Sequence, residues 1–142
     1  MQVSDILRSK GHEVVSVAAG DTVAAAVAAL TEHRIGAVLV FDERHAIAGI
    51  LSERDLVHAM HRFGRDVFNK TVGELMTAPV ITCSPHDPVA AIMGLMTAQR
   101  CRHLPVVDGE RVVGLVSIGD IVKSHIDEAQ AEMEALRRYI AM

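Results

Sequence analysis

The chain has 142 residues, of which 50% are hydrophobic, 23% charged and 3% aromatic, and its formal net charge is −4. That apolar share fills a core and excludes a disordered chain. The acidic balance lacks the basic footprint of a nucleic-acid binder, the few aromatic rings give no stacking platform for single strands, and two cysteines, Cys83 and Cys101, make no disulfide scaffold.

The first five residues, Met1-Gln2-Val3-Ser4-Asp5, lack the basic-then-apolar order of a signal peptide. No stretch reaches the roughly 18 apolar residues that span a bilayer. A cytoplasmic chain with reduced thiols and no membrane partner is expected. Val3-Ser4-Asp5-Ile6-Leu7 reads as a short helical lead-in. The β-branched run at 14–17 predicts a strand. Asp21 is a good N-cap, and Val23, Val27 and Leu30 follow at helical spacing. Strands are expected at 37–41 and 46–51, around the turn Asp42-Glu43-Arg44-His45. Ser52 then starts a second helix.

The same series returns at an offset of 66 residues, which carries Asp21 onto Asp87, Arg34 onto Arg100 and Asp42 onto Asp108. A second lead-in, Val72-Gly73-Glu74-Leu75-Met76, is followed by the link Thr77-Ala78-Pro79. A strand is expected at 80–83. Asp87 reads as the next cap, with Pro88 at the first helical position, where a missing N–H costs nothing. Strands follow at 104–107 and 111–116 around Asp108-Gly109-Glu110, and Ser117 starts the last helix. Residues 124–142 extend it, with Ile126, Met133, Leu136 and Ile140 near one face, as core packing or as a subunit contact.

Chance matching of Ala and Val would not keep the Asp, Gly and Ser-x-x-Asp positions in step. The fold class is therefore α/β (α+β), two β-α-β-β-α repeats at 1–70 and 71–142, each with its lead-in. A single unit of this size buries little surface. Stacking the two sheets face to face with pseudo-twofold symmetry would share a core.

Some residues carry chemistry. Ser52-x-x-Asp55 and Ser117-x-x-Asp120 each fit a helix start, a hydroxyl cap with an acid in the first turn. The same geometry lets an aspartate accept two hydrogen bonds from a ribose diol. Arg54 sits where the helix dipole disfavours a cation, so it is either a solvated surface residue or a phosphate contact. Arg102 and His103 bring polar bulk to the start of an apolar strand, where the first copy has Gly36 and Ala37. Arg34 and Arg100 complement helix C-termini. His58 and His61 lack a metal-ligand partner set, Ser52 and Ser117 lack a paired base, and no P-loop is present. No catalytic residue and no metal is expected.

These motifs resemble a tandem pair of CBS domains, a Bateman module, over residues 1–125. The resemblance rests on Ile35-Gly36-Ala37-Val38-Leu39-Val40, Gly49-Ile50-Leu51-Ser52-Glu53-Arg54-Asp55-Leu56, Met76-Thr77, Arg102-His103-Leu104-Pro105-Val106-Val107-Asp108 and Gly114-Leu115-Val116-Ser117-Ile118-Gly119-Asp120-Ile121. It implies a non-catalytic regulatory module, an energy or redox-state sensor. The expected ligand is an adenosine nucleotide (AMP first; ADP, ATP or NAD as others) held in the cleft between repeats. It also implies a homodimer, with an unidentified regulated protein as a further partner. By the same resemblance, Ser117, Asp120, Ser52 and Asp55 take the ribose. Arg54, Arg102 and His103 take the phosphates. Ser16, Val17, Ala18, Ile35, Gly36, Ala37 and Thr82 hold the adenine with aliphatic side chains and backbone. The two sites are expected to differ, with the Asp55 site weaker or taking another ligand. The alternative is a structural dimer with empty or degenerate clefts.

Overall fold

A computed structural model describes all 142 residues. Helix α1 (Val3–Lys10) is followed by β1 (Ser16–Ala18), α2 (Val23–His33), β2 (Ala37–Phe41), β3 (Ile47–Ser52) and α3 (Glu53–Phe63). A 3-10 segment (Gly64–Asn69) and α4 (Val72–Leu75) lead to α5 (Val89–Gln99), β4 (His103–Asp108), β5 (Arg111–Ser117) and the long α6 (Ile118–Ala141). The repeat read from the sequence is thus present as mixed α and β structure. No helix is long and apolar enough to cross a membrane.

The compact units are not simply the two halves of the chain. One, here the continuous unit, is Val14–Ile81; the other, the bipartite unit, joins Met1–Glu13 to Thr82–Met142. Each lead-in helix therefore folds with the other repeat. The reason lies in the side chains. Val3, Ile6 and Leu7 of α1 are buried with Val89, Ile92, Met96, Leu104, Val116 and Ile121. Val72 of α4 is buried with Ala26, Leu30, Val38, Val40 and Leu51. A small second cluster, Val23, Ala59 and Val67, completes the continuous unit. Met96 is core filler, as its helical spacing suggests, and Met93 packs partly against it.

A glycine in each repeat receives the other repeat's lead-in. A side chain at Gly49 would run into Met76 and the Thr77 carbonyl, and one at Gly114 would run into Leu7. The chain also pairs there: Ile50 and Thr77 exchange backbone hydrogen bonds at 3.0 and 2.8 Å.

In the continuous unit the sheet runs β1-β2-β3, with β1 parallel and β3 antiparallel to β2. The bipartite unit has only β4-β5. The strand expected at 80–83 shrinks to one bridge, Cys83 to Val106. Its neighbours explain the loss. Leu39 N–H donates to the Val15 carbonyl and Ala19 N–H to the Phe41 carbonyl, flanking β1. The residues at the matching positions are Pro105 and Pro85, which have no N–H to give.

Two caps also differ from expectation. The N-cap of α2 is Thr22, whose hydroxyl accepts from Ala25 N–H at 3.2 Å, while Asp21 accepts from Ala18 N–H. The N-cap of α5 is Pro88, and Asp87 accepts instead from Ser84 N–H at 2.8 Å. In both copies the aspartate closes the turn before the helix.

Candidate functional site

Each unit builds the same junction from a strand end and a helix start. In the continuous unit, Ala37 of β2 pairs with Ser52 of β3, and Glu53 N–H donates to the Gly36 carbonyl at 3.0 Å. This brings Ile35, Gly36 and Ala37 beside Ser52, Arg54 and Asp55. In the bipartite unit, His103 pairs with Ser117, and Ile118 N–H donates to the Arg102 carbonyl at 2.8 Å. Arg102 and His103 thus occupy the positions of Gly36 and Ala37, beside Ser117 and Asp120.

Ser52 and Ser117 are the N-caps of α3 and α6, and each forms a capping box with its aspartate. Asp55 accepts from Ser52 N–H at 2.8 Å and Asp120 from Ser117 N–H at 2.9 Å. The sequence pattern is therefore structurally satisfied as a helix start. The remaining partners of the two carboxylates differ. Thr77, one residue after Met76, donates its hydroxyl to Asp55 Oδ1 at 2.8 Å, and the Ser52 hydroxyl donates to Oδ2 at 3.1 Å. Asp120 Oδ2 instead accepts from Lys10 Nζ at 2.7 Å, and the same ammonium donates to the Leu115 carbonyl at 2.8 Å. Gly11 lets the chain leave α1 with φ of 105°, and His12 Nδ1 lies 2.9 Å from the Val113 carbonyl. The end of the lead-in is thereby stitched along β5.

Burial alone would raise the Asp120 carboxyl. The hydrogen bond and charge of Lys10, with the Ser117 backbone and hydroxyl, outweigh it and hold the group below the usual aspartate range. The Asp120 junction is therefore an ionised carboxylate with a cation against it, at a half-buried position.

Arg102 is exposed and His103 half-buried, and Arg54 is exposed in the first turn of α3. Arg34 and Arg100 are the C-caps of α2 and α5, both in the left-handed region at φ 53°. Arg34 also lines an open cleft of about 450 Å³ with Thr31, Ile35, Gly36, Glu53 and Leu56. Ser16 and Ala18 are exposed, Val17 is half-buried, and Thr82 is exposed. Ala37 is buried in its own core, so its backbone is what it can offer a ligand. His58 and His61 are exposed on α3, and no group of three His, Cys, Asp or Glu side chains is placed to hold a metal ion. Sequence reasoning missed Lys10, which lies 110 residues from Asp120 and belongs to no motif. Thr77 was visible as part of Met76-Thr77 but not as a partner of Asp55.

The helix-strand-strand-helix series and the Ser-x-x-Asp junction, present in each copy, define a tandem repeat. The chain belongs to the CBS domain family, whose pattern it matches over residues 3–62 and 72–127. It is 37% identical over 146 residues to the CBS domain-containing protein CBSX3, mitochondrial, of Arabidopsis thaliana, covering 97% of this chain and 71% of that one. The crystal structure of the CBS-domain protein ATU1752 from Agrobacterium tumefaciens superposes with a TM-score of 0.85 at 38% identity, covering 87% and 92% of the two chains. The CBS domain pair of protein MJ0100, solved in complex with 5′-methylthioadenosine and S-adenosyl-L-methionine, superposes at 0.79 with 28% identity, covering 90% and 98%.

Proposed function

We propose that the protein is a non-catalytic, cytoplasmic regulatory module that binds an adenosine nucleotide, AMP ahead of ADP, ATP and NAD, and works as a homodimer. The observation that carries this is the Asp120 junction, an ionised carboxylate held by Ser117 and Lys10, with Ser117 paired to His103 across the strands. Support comes from MJ0100, a relative whose CBS pair was solved with two adenosine-containing ligands. A carboxylate offers about four lone-pair sites, so Asp120 can accept from a ribose diol beside its capping bond. Ser117 and Ser52 are assigned to the ribose with Asp120 and Asp55, and Arg54, Arg102 and His103 to the phosphates. Ser16, Val17, Ala18, Ile35, Gly36, Ala37 and Thr82 are assigned to the base. Binding would shift the module between arrangements by the ligand's difference in affinity for them, and an as yet unidentified protein would read the change.

One observation favours a second reading, a structural module without ligand. Both carboxylates are already engaged, Asp55 by Ser52 and Thr77, Asp120 by Ser117 and Lys10. Calorimetry with AMP, ATP and NAD decides between the two. Heat with at least one nucleotide, weakened at least about tenfold in Asp120→Ala, is the expected result. No heat with any of them at millimolar concentration sinks the sensor reading and leaves the structural one.

A further inference from the structure

Helix α6 has one side packed on its own unit and a second, apolar side that its unit leaves exposed. Ile121 and Ser124 are buried, and Glu128 lies 3.5 Å from the Met1 ammonium. These residues follow one another at three and four positions and form one side of the helix. At about 100° per residue, Ile126 stands roughly 200° further round than Ser124. It belongs to a second line, Val122, Ile126, Ala129, Met133, Leu136 and Ile140, spaced by four and three in strict alternation. Val122 is 42% exposed, Ile126 49%, Met133 54%, Leu136 61% and Ile140 81%. A continuous apolar line of this kind on water marks an interaction surface. Its alternating steps of four and three residues are those between the first and fourth positions of successive coiled-coil heptads.

The residues beside the line select the occupant. With Ile126 and Met133 as first positions of successive heptads, Glu132 is a seventh position and Arg137 the fifth position of the next heptad. In a parallel, in-register pair these two positions face each other, so Glu132 of each copy meets Arg137 of the other, twice by symmetry. An antiparallel pair would set the fifth positions together, Lys123, Gln130 and Arg137, two of which are cationic. The ion pair within α6, Arg138–Glu134 at 4.0 Å, lies on the far side and leaves the seam alone.

We infer that α6 pairs with α6 of a second copy of this chain as a short parallel two-stranded coiled coil. The line from Val122 to Ile140 is about 28 Å long, too short to form a helix pair in isolation. The folded unit supplies the nucleus, because it already fixes the first turns through Ser117, Ile121 and Ser124. This surface sharpens the homodimer reading and does not depend on nucleotide binding.

Sedimentation equilibrium of the full chain at micromolar concentration tests it. The native chain is expected to dimerise. Met133→Glu/Leu136→Glu, which faces charge against charge across the seam, should weaken the dimer roughly 100-fold. Arg137→Glu should weaken it roughly tenfold, and Glu132→Arg/Arg137→Glu should restore it. Ile140→Cys in a Cys101→Ser background keeps the rest of the seam native. Mild oxidation should link its two copies only if the helices run parallel. A monomeric native chain overturns both the pairing and the homodimer. A dimer undiminished by the double glutamate variant, or no linkage through Ile140→Cys, overturns the helix pairing and leaves a dimer built elsewhere.

Discussion

Asp55 and Asp120 stand at the same place in their repeats, three residues into a helix capped by Ser52 or Ser117. Their surroundings have diverged. Asp55 meets a neutral hydroxyl, Thr77, and Asp120 meets the Lys10 ammonium. Gly36 and Ala37 give way to Arg102 and His103, and Arg54 gives way to Gly119. The continuous unit presents small residues, exposed at Ser16 and Ala18, while the bipartite unit sets the Lys10 ammonium on its acid. Both kinds of surface arise because each lead-in folds with the other repeat, so α1 brings Lys10 to Asp120 and the chain after α4 brings Thr77 to Asp55.

The largest test of this exchange is its anchor. Leu7 of α1 is 1% exposed in the bipartite core, whereas its counterpart in the second lead-in, Met76, is half-buried. Leu7→Ala should lower stability by about 2–5 kcal/mol in urea denaturation. Met76→Ala should cost less than about half of that, because it removes less buried surface. Equal losses would mean that the two lead-ins are held alike and the asymmetry in packing has no energetic weight.

The receiving glycines give a smaller effect. At Gly49 an added Cβ meets the Thr77 carbonyl at 2.9 Å as well as Met76, and backbone yields little. At Gly114 it meets only Leu7, the end of a side chain that can change rotamer. Gly49→Ala should therefore cost about 1–3 kcal/mol, and Gly114→Ala less. The reverse order in thermal melting would show that buried Leu7 is as rigid as a backbone carbonyl.

Most of the fold was legible because the chain states it twice. Strand β2 matches the expected 37–41 residue for residue, and both serine caps are where the Ser-x-x-Asp pattern places them. The missing strand at 80–83 was also written in the chain, as Pro85 and Pro105 opposite Ala19 and Leu39. It is a matter of absent donors rather than hydrophobic pattern, so periodicity alone passed over it. The caps Thr22 and Pro88 lay one residue beyond the aspartates, because an aspartate can serve the turn as well as the helix. Repeat boundaries at 70 and 71 follow the chain, whereas compactness follows the burial of Val3, Leu7 and Val72, which no local pattern assigns to a partner. At the site, the cap partners were legible and Lys10 was not. A contact across 110 residues between two unremarkable side chains leaves no trace in spacing.

The smallest effect separates the two acids by charge. Asp120 titrates below an unfolded aspartate, so its contribution to stability is complete above about pH 4 and is lost as the pH falls through the folded value. In Lys10→Met the cation is gone, and burial, the leading opposing influence, moves the carboxyl back up. The stability gap between the native chain and Lys10→Met should therefore be constant near neutrality and close on acidification below about pH 4. Both side chains are partly exposed, so the gap should be about 1 kcal/mol or less and should shrink in 1 M salt. Thr77→Val removes a neutral donor from Asp55, and its cost should hardly respond to salt. Urea denaturation of the three proteins at low and high salt reads this directly. A salt-insensitive Lys10→Met penalty would mean that Lys10 acts through packing along β5 and its bond to the Leu115 carbonyl, not through its charge on Asp120.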